Sequence, residues 1–415
     1  MLPIVGPPLA AGTLILLLAA PEPSGTLTLP QALERAARHH PALAAAAGHL
    51  ATARALQVDA GRWQNPRLAF EAENLGGSID PVRRELTLAA EQTFELGGKR
   101  AARDSAAAAA VALAAAEGAA EARDVAGTTV ARFVDAWVAQ ERVARLAHAE
   151  RLAADAITAA EARFRAGAGP VVERLRAEAL HAQRAAEVRR ARAESEIARG
   201  RLASQWGDSA ATFDALALGE PVGVRAAPAE SLAAELEQHP ERVAAAATAA
   251  LATARLREAR SARTPDLDVL AGVRHLAEDG GTGLIAALSI DLPVWNGRRG
   301  GVTAAEAQRG AAAASERLVR LRLRDELRAA RERFVAAVDT WRALRDEVAP
   351  PTAAALEQLT QGYRSGRFGS LELLEAQRAT IEVELALIDA AAEAWRSRAE
   401  LERLLGRPLE TEATR

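Results

Sequence analysis

Two glutamates, Glu372 and Glu375, have the spacing with the clearest chemical use in this sequence. They stand three positions apart, directly after the glycine-containing segment 366–369, so a helix that begins there holds both carboxylates on one face. Carboxylates that line a narrow passage favour cations and repel anions. The alternative is that both are ordinary carboxylates on a solvated helix.

No other set of residues points to catalysis or to metal binding. The chain has no cysteine and one methionine, which excludes thiol nucleophiles and a relay of soft metal ligands. Its seven histidines are scattered, apart from the adjacent pair His39 and His40. No Ser/His/Asp set and no phosphate-binding loop is recognisable. We therefore predict a protein that is not an enzyme and that holds no cofactor or metal.

The composition favours long helices. Hydrophobic residues make up 49% of the chain but aromatic residues only 3%, and much of the remainder is alanine, which suits helices that approach closely. A net charge of -3, from 52 basic and 55 acidic residues, gives no general attraction for nucleic acid. An apolar run at 9–20 is too short to span a bilayer and predicts a signal peptide at 1–20.

The chain contains an internal duplication with a constant offset of 199 residues. It predicts a first repeat at 27–207, a connector at 208–229, a second repeat at 230–406 and a tail at 407–415. The anchors that share this offset are His40-Pro41 and His239-Pro240, Pro66 and Pro265, Gly98 and Gly297, Gly167 and Gly366, Glu173 and Glu372, and Gly207 and Gly406.

Each repeat has the same predicted order of elements. A helix comes first and ends near the proline, and two short strands with alternating apolar and polar residues follow. A very long helix, a tight reversal and a returning helix complete the repeat, and Pro350-Pro351 must break or kink the second long helix. The predicted spans are helices 30–62 and 230–262, strands 67–75, 85–94, 266–274 and 283–292, long helices 99–165 and 300–365, and tips 167–170 and 366–369.

Four such strands suit a bilayer, but they cannot close a barrel, and open strand edges are not tolerated in lipid. A homo-oligomer is therefore expected, and three copies would supply twelve strands. Phe94 and Trp295, at the helical ends of the second strands, suit an interfacial aromatic girdle. We expect Glu71, Glu73, Asp268 and Arg274 on the face opposite Leu68, Phe70, Leu267 and Val269.

Glycines mark the predicted junctions. Gly167 and Gly366 allow a positive φ where the helices reverse, and the glycines of the ELGGKR segment (95–100) serve the transition from strand to helix. Lys99 and Arg100 are predicted to be solvated.

Several stretches together resemble the TolC family of outer-membrane efflux proteins over residues 27–406. They are NPRLAFEAENLGG (65–77), FELGGKR (94–100), FRAGAG (164–169), YRSGRFGSLELLEAQ (363–377) and the closing LLG (404–406). NPRLAFEAENLGG and ELGGKR resemble especially the heavy-metal, cobalt–zinc–cadmium-type branch.

The resemblance implies a mainly α fold with a small β part. It implies a homotrimer with a twelve-stranded barrel in outer-membrane lipid and a long α-helical barrel in the periplasm. It also implies an exit duct that works with a periplasmic adaptor protein and an inner-membrane RND pump. The adaptor would dock at the tips, at Gly167, Gly169, Gly366 and Gly369.

The resemblance also gives roles to entrance residues. Glu372 and Glu375 would form a ring that narrows the periplasmic entrance, and Tyr363 and Glu173 would help to hold it closed. The basic partner of that closing network falls on Phe368, with Arg367 one position earlier, so the network is expected to be rewired.

Two other functions remain open at this stage. The duct could serve drug efflux or type I secretion instead of metal export. In a different class, the chain could be a periplasmic coiled-coil scaffold or adaptor whose hairpins merely decorate helical rods.

Overall fold

A computed structural model describes residues 25–74, 84–167, 169–221, 235–277, 280–407 and 409. The signal peptide predicted at 1–20, the second part of the predicted connector (222–229) and most of the predicted tail lie outside these residues. Within them the chain is mainly helical with a small β part, as predicted. None of the helices in this described part is long and apolar enough to cross a membrane.

Eight α-helices and six strands are numbered here along the described residues. The helices are α1 (Leu29–His39), α2 (Pro41–Ala60), α3 (Lys99–Arg165), α4 (Val171–Ala203), α5 (Pro240–Ser261), α6 (Arg299–Ala343), α7 (Ala349–Arg364) and α8 (Ser370–Leu405). The strands are β1 (Thr26–Thr28), β2 (Arg67–Glu73), β3 (Glu85–Phe94), β4 (Ala215–Ala217), β5 (Leu267–Leu276) and β6 (Gly281–Ile290). At ~1.5 Å per residue, α3 alone is a rod of about 100 Å.

The prediction of a single helix at 30–62 was wrong, because the chain breaks at His40. A proline disfavours helical geometry in the residue before it, and His40 has φ -67° and ψ 125°. Its Nδ1 then accepts a hydrogen bond from the backbone N–H two residues on, at 3.2 Å, and caps α2. His239 caps α5 in the same way at 3.3 Å, so that helix begins at Pro240 and not near residue 230.

The second long helix is interrupted near its two prolines. A π-helical turn, Leu344–Val348, separates α6 from α7. Pro350 stands in the first turn of α7, where its missing N–H removes no helical hydrogen bond. Sequence analysis expected a break or a kink here, and the π turn provides the break.

Strands and helices form a ribbon four elements wide. The strand order is β2-β3-β5-β6, with all neighbours antiparallel. The helices that continue these strands pack in the matching order α2-α3-α5-α6. The lateral edges of the ribbon are therefore β2 with α2 on one side and β6 with α6 on the other.

A short parallel pair, β1 with β4, crosses the middle of α3 and was not predicted. Gln140 of α3 fixes it by donating to the carbonyl of Leu216 at 3.0 Å and accepting from its N–H at 2.8 Å. Phe133, Trp206 and Phe213 pack beneath it in one buried cluster. This pair joins the start of the first repeat to the predicted connector.

His239 makes fold stability depend on pH. Its side chain is 2% exposed, and burial, together with the guanidinium groups of Arg123 and Arg403, lowers its pKa to about 4. Between pH ~6.5 and pH ~4 this histidine is protonated in the unfolded chain but not in the folded chain. The free energy of unfolding therefore decreases by roughly 2 to 3 kcal/mol as the pH is lowered through this range. We expect the thermal midpoint of His239→Asn, which keeps a capping side chain, to fall less on acidification than that of the wild type. An equal fall in both proteins would contradict this origin.

Candidate channel surface and entrance

One face of the sheet is apolar and exposed in the single chain. The strand registers place Leu68, Phe70, Leu267 and Val269 on this face, as predicted. Leu284 is 89% exposed, and Leu288 and Phe70 are 72% and 69% exposed. Exposed apolar side chains over a whole sheet face mark a surface that another apolar phase covers. The members of this face with large side chains are Leu68, Phe70, Leu86, Leu88, Phe94, Leu267, Val269, Val273, Leu284, Leu288 and Ile290.

The opposite face is polar and carries the charged residues of the strands. Glu71, Glu73, Asp268 and Arg274 all lie on it, as predicted. Arg274 forms an ion pair with Glu85 at 3.2 Å and donates to the Thr87 hydroxyl at 3.1 Å. The sheet therefore separates an apolar side from a hydrated one.

Aromatic and charged residues mark the junction between sheet and helices. Trp295 is 97% exposed, and Phe94 packs edge-to-face on Trp63, with ring centroids 6.1 Å apart. The prediction that Lys99 and Arg100 are solvated holds for Arg100, which is exposed, but Lys99 is only partly exposed. Lys99 pairs with Asp266 at 2.7 Å, and the Arg100 guanidinium lies 4.4 Å from the centroid of the Trp63 ring.

Gly97 and Gly98 have φ of 68° and 73°, as the transition from strand to helix requires. A Cβ on Gly97 would also lie 2.4 Å from the Thr264 hydroxyl oxygen. We expect Gly97→Ala to cost roughly 1 to 3 kcal/mol of stability through strain and clash. Gly300→Ala is the matched control, since that position is helical and open, and it should be neutral or stabilising. Thermal unfolding of both variants checks the difference, and equal midpoints would contradict it.

The two helical hairpins reverse at the predicted tips. Gly167 and Gly366 have φ of 69° and 76°, the left-handed geometry that favours glycine. Gly369 has an extended backbone, and Gly169 has no positive φ. Large apolar side chains are exposed around these reversals: Phe164, Val171, Val172, Leu175, Phe368 and Leu371.

Glu372 and Glu375 lie at the start of α8, directly after the second tip. Both side chains are exposed, and Glu372 stands in the first helical turn. A Cβ on Gly369 would approach the Glu372 carboxylate to 2.8 Å, so that glycine leaves room for it. The positions of the two carboxylates are consistent with the prediction that they lie on one face of the helix.

Tyr363 and Glu173 meet between the two hairpins. The Tyr363 hydroxyl donates to Glu173 Oε2 at 3.5 Å, and Tyr363 is 2% exposed. Burial and the adjacent carboxylate raise the pKa of Tyr363, so it remains a protonated donor. A third residue, Arg163, contacts both: its Nε lies 3.6 Å from Glu173 Oε2, and its guanidinium lies 5.0 Å from the Tyr363 ring centroid.

Comparison with known proteins shows what this chain is similar to. The profile of the family described as outer membrane efflux protein matches residues 232–407. The cobalt-zinc-cadmium resistance protein CzcC of Cupriavidus metallidurans is 29% identical over 387 residues, which cover 93% of this chain and 91% of that protein. Part of the chain thus matches the outer membrane efflux protein family, and almost its whole length is similar to CzcC. The resemblance to the TolC family and to its cobalt–zinc–cadmium-type branch is thereby confirmed.

Solved structures confirm the fold of this chain. The outer-membrane channel OprN superposes with a TM-score of 0.75 at 23% identity, covering 91% of this chain and 89% of OprN. CusC gives 0.79 at 16% identity, covering 91% and 92%. VceC of Vibrio cholerae gives 0.77 at 20% identity, covering 92% and 97%. The chain thus has the fold of these outer-membrane channels.

Sequence reasoning did not identify two residues of these surfaces. Arg163 was missed because the basic partner of Tyr363 and Glu173 was sought near Phe368, in the other hairpin. Phe368 instead lies over Gly362, where a Cβ would come within 2.1 Å of the ring. Trp63, just after α2, was also missed. The only sign of it in the sequence was its position close to the Asn-Pro that precedes β2.

The described residues contain no group of three or more His, Asp or Glu side chains arranged to hold a metal ion. His40 and His239, which sequence analysis named as anchors of the repeat, use their Nδ1 atoms as helix caps.

Proposed function

We propose that this efflux protein is the exit duct of a tripartite pump that exports heavy-metal cations. The observation that carries the proposal is the sheet, which has one exposed apolar face, one charged face and an unpaired strand at each edge. In lipid such edges must be paired, so other copies of the chain must complete the sheet. The completed wall would have its apolar face in lipid and its polar face around a hydrated lumen.

The outermost helices support closure by side-by-side packing of copies. Both α2 and α6 expose apolar residues, most of them small, at heptad spacing. Small side chains let helices approach closely, and two different edges that fit each other give a cyclic assembly. These residues are Ala44, Gly48, Ala51, Ala55 and Val58 on α2, and Ala304, Ala307, Ala311, Ala314, Leu318 and Leu321 on α6.

Three copies give twelve strands, an even number that suits a closed outer-membrane barrel. Strands of 7 to 10 residues, at ~3.3 Å each, are long enough to cross the hydrocarbon layer when tilted. The rods continuing from them would form the periplasmic α-helical barrel.

A duplication within the chain accounts for the two similar halves, which we place at 27–207 and 230–406. Equivalent local geometry supports it. His40 and His239 cap helices in the same way, and Gly167 and Gly366 have the same left-handed backbone. So do Gly207 and Gly406, with φ of 86° and 74°.

The proposal that the cargo is a heavy-metal cation rests on the charge at the entrance and on the similarity to CzcC. CzcC is named for resistance to cobalt, zinc and cadmium. Glu372 and Glu375, repeated around an axis, would place carboxylates at the periplasmic entrance and favour cations. Selection among metals would then lie in the adaptor and the RND pump, with the duct acting passively.

The tips are the proposed docking site of the adaptor. Gly167 and Gly366 make tight turns, and Gly169 and Gly369 stand just before the returning helices. The exposed Phe164, Leu175 and Leu371 around them offer apolar contacts of the kind that a helical hairpin recognises.

The assembly can be tested on the purified full-length chain. We expect extraction to require detergent, the particle mass to be that of three protomers after correction for bound detergent, and discrete conductance steps in planar bilayers. A soluble monomer or dimer without conductance would contradict the duct and favour the coiled-coil scaffold.

A further inference from the structure

Arg100 lies where the apolar face of the sheet ends and the helical rods begin. Its guanidinium is 4.4 Å from the centroid of the Trp63 ring, and Trp63 in turn packs on Phe94. Phe94 belongs to the apolar face, because the strand register pairs it with Leu267. Arg100 therefore stands at the edge of that face and not on the polar side of the sheet.

Arg100 has no carboxylate partner among the described residues. Its two basic neighbours differ in this respect, since Lys99 pairs with Asp266 at 2.7 Å and Arg103 pairs with Glu95 at 2.5 Å. Those two carboxylates are thus neutralised by other cations. The exposed guanidinium of Arg100 leaves its N–H donors to an acceptor outside the described chain.

The second repeat carries the same combination of an exposed tryptophan and an exposed arginine. Arg299 follows Arg100 by the 199 residues of the duplication, and it too has no ion-pair partner among the residues that the structure describes. Trp295, four positions before it, is 97% exposed. Neither α3 nor α6 has an acidic residue in its first turn, so the positive end of each helix dipole adds to the charge of the arginine.

The chemistry of this surface fits the phosphate group of a membrane lipid. Tryptophan rings lie at the level of the lipid headgroups, at the boundary of the hydrocarbon layer. A guanidinium binds phosphate through two parallel hydrogen bonds, and stacking on an aromatic ring fixes its plane. The apolar sheet face that adjoins the arginine would contact the acyl chains of the same lipid, which a free anion does not have.

We propose that Arg100 binds the phosphate of an anionic phospholipid in the leaflet from which the helical rods emerge, with Trp63 holding the guanidinium in place. Arg299 does the same in the second repeat. This inference rests on the proposed duct, which places the apolar face in lipid. Its consequence is that anionic phospholipid stays bound to the purified protein and raises its thermal midpoint, because a ligand of the native state stabilises that state.

Native mass spectrometry of the full-length protein in detergent tests the proposal, with phosphatidylglycerol as the probe and phosphatidylcholine for comparison. We expect the wild type to retain phosphatidylglycerol preferentially. Arg100→Gln should lower the affinity for it severalfold, and the double variant with Arg299→Gln should lower it further. Arg62→Gln is the matched control, because it removes a positive charge next to Trp63, but the Arg62 side chain is 70% exposed and pairs with Asp59 at 3.4 Å. It should leave the affinity unchanged.

Thermal unfolding provides a second measurement on the same proteins. Added phosphatidylglycerol should raise the midpoint of the wild type and of Arg62→Gln by several degrees, and that of the double variant by much less. Arg100→Lys, which keeps the charge but loses the planar fork, should fall between them. Excess inorganic phosphate at constant ionic strength should not displace the lipid. Displacement would indicate a site for free anions and would overturn the proposal.

The outcomes separate the proposal from the duct on which it rests. A detergent-dependent trimer that retains phosphatidylglycerol equally well in the wild type and in the double variant would overturn the role of the arginines alone. A loss of retention in Arg62→Gln as large as that in Arg100→Gln would do the same, because binding would then depend only on total charge. A wild-type protein that is soluble without detergent and forms no trimer would instead contradict the duct.

Discussion

Leu288→Arg is expected to abolish assembly in the outer membrane. Leu288 is 72% exposed on the apolar face of the sheet, and our account places that face in lipid. A charged side chain on the lipid face costs roughly 2 to 4 kcal/mol near the bilayer midplane, and each copy of the chain carries one. The protein should be missing from purified outer membranes and from the trimer band of a native gel.

Ser289→Arg provides the matched control. Ser289 is the next residue of the same strand and lies on the polar face, opposite Asp268. An arginine there would point into water and should leave assembly intact. If both variants assembled equally well, the assignment of the apolar face to lipid would be wrong.

The double variant Glu372→Gln, Glu375→Gln is expected to remove most of the preference for cations. If three copies surround the entrance, the change removes a ring of carboxylates while keeping the size of each side chain. The ratio of cation to anion permeability, from reversal potentials in planar bilayers under a salt gradient, should fall severalfold. Block by multivalent cations should weaken with it.

Glu382→Gln is the control for this experiment. Glu382 is exposed on the same helix but pairs with Arg378 at 2.8 Å, further from the tip. Its removal should leave the permeability ratio unchanged. Unaltered selectivity and block in the double variant would show that these carboxylates are ordinary solvated residues.

The sequence predicted the features that depend on local patterns. Alternation in β2 and β5 assigned Phe70 and Asp268 to opposite faces, and the registers confirm it. Alanine-rich stretches without proline predicted the long helix whose observed span is Lys99–Arg165. Such signals repeat over many residues, so single exceptions do not erase them.

The features that sequence reasoning missed depend on contacts between distant segments. Arg163 lies 200 positions from Tyr363, and only the packing of the hairpins brings them together. The strands β1 and β4 have three residues each, too few to show the alternation of apolar and polar residues that identifies a strand in a sequence. His40 was recognised as part of a repeated His-Pro anchor, but its capping role depends on a backbone conformation that the following proline imposes.

The central claim, a duct for heavy-metal export, is tested most directly by deleting the gene in its host. Growth would be scored on zinc, cobalt, cadmium, copper, nickel and a panel of drugs and bile salts. The deletion strain complemented with the gene on a plasmid is the control. We predict hypersensitivity to divalent metals that the wild-type gene reverses. Sensitivity to drugs or bile salts, with normal growth on every metal, would contradict metal export while leaving the duct itself in place.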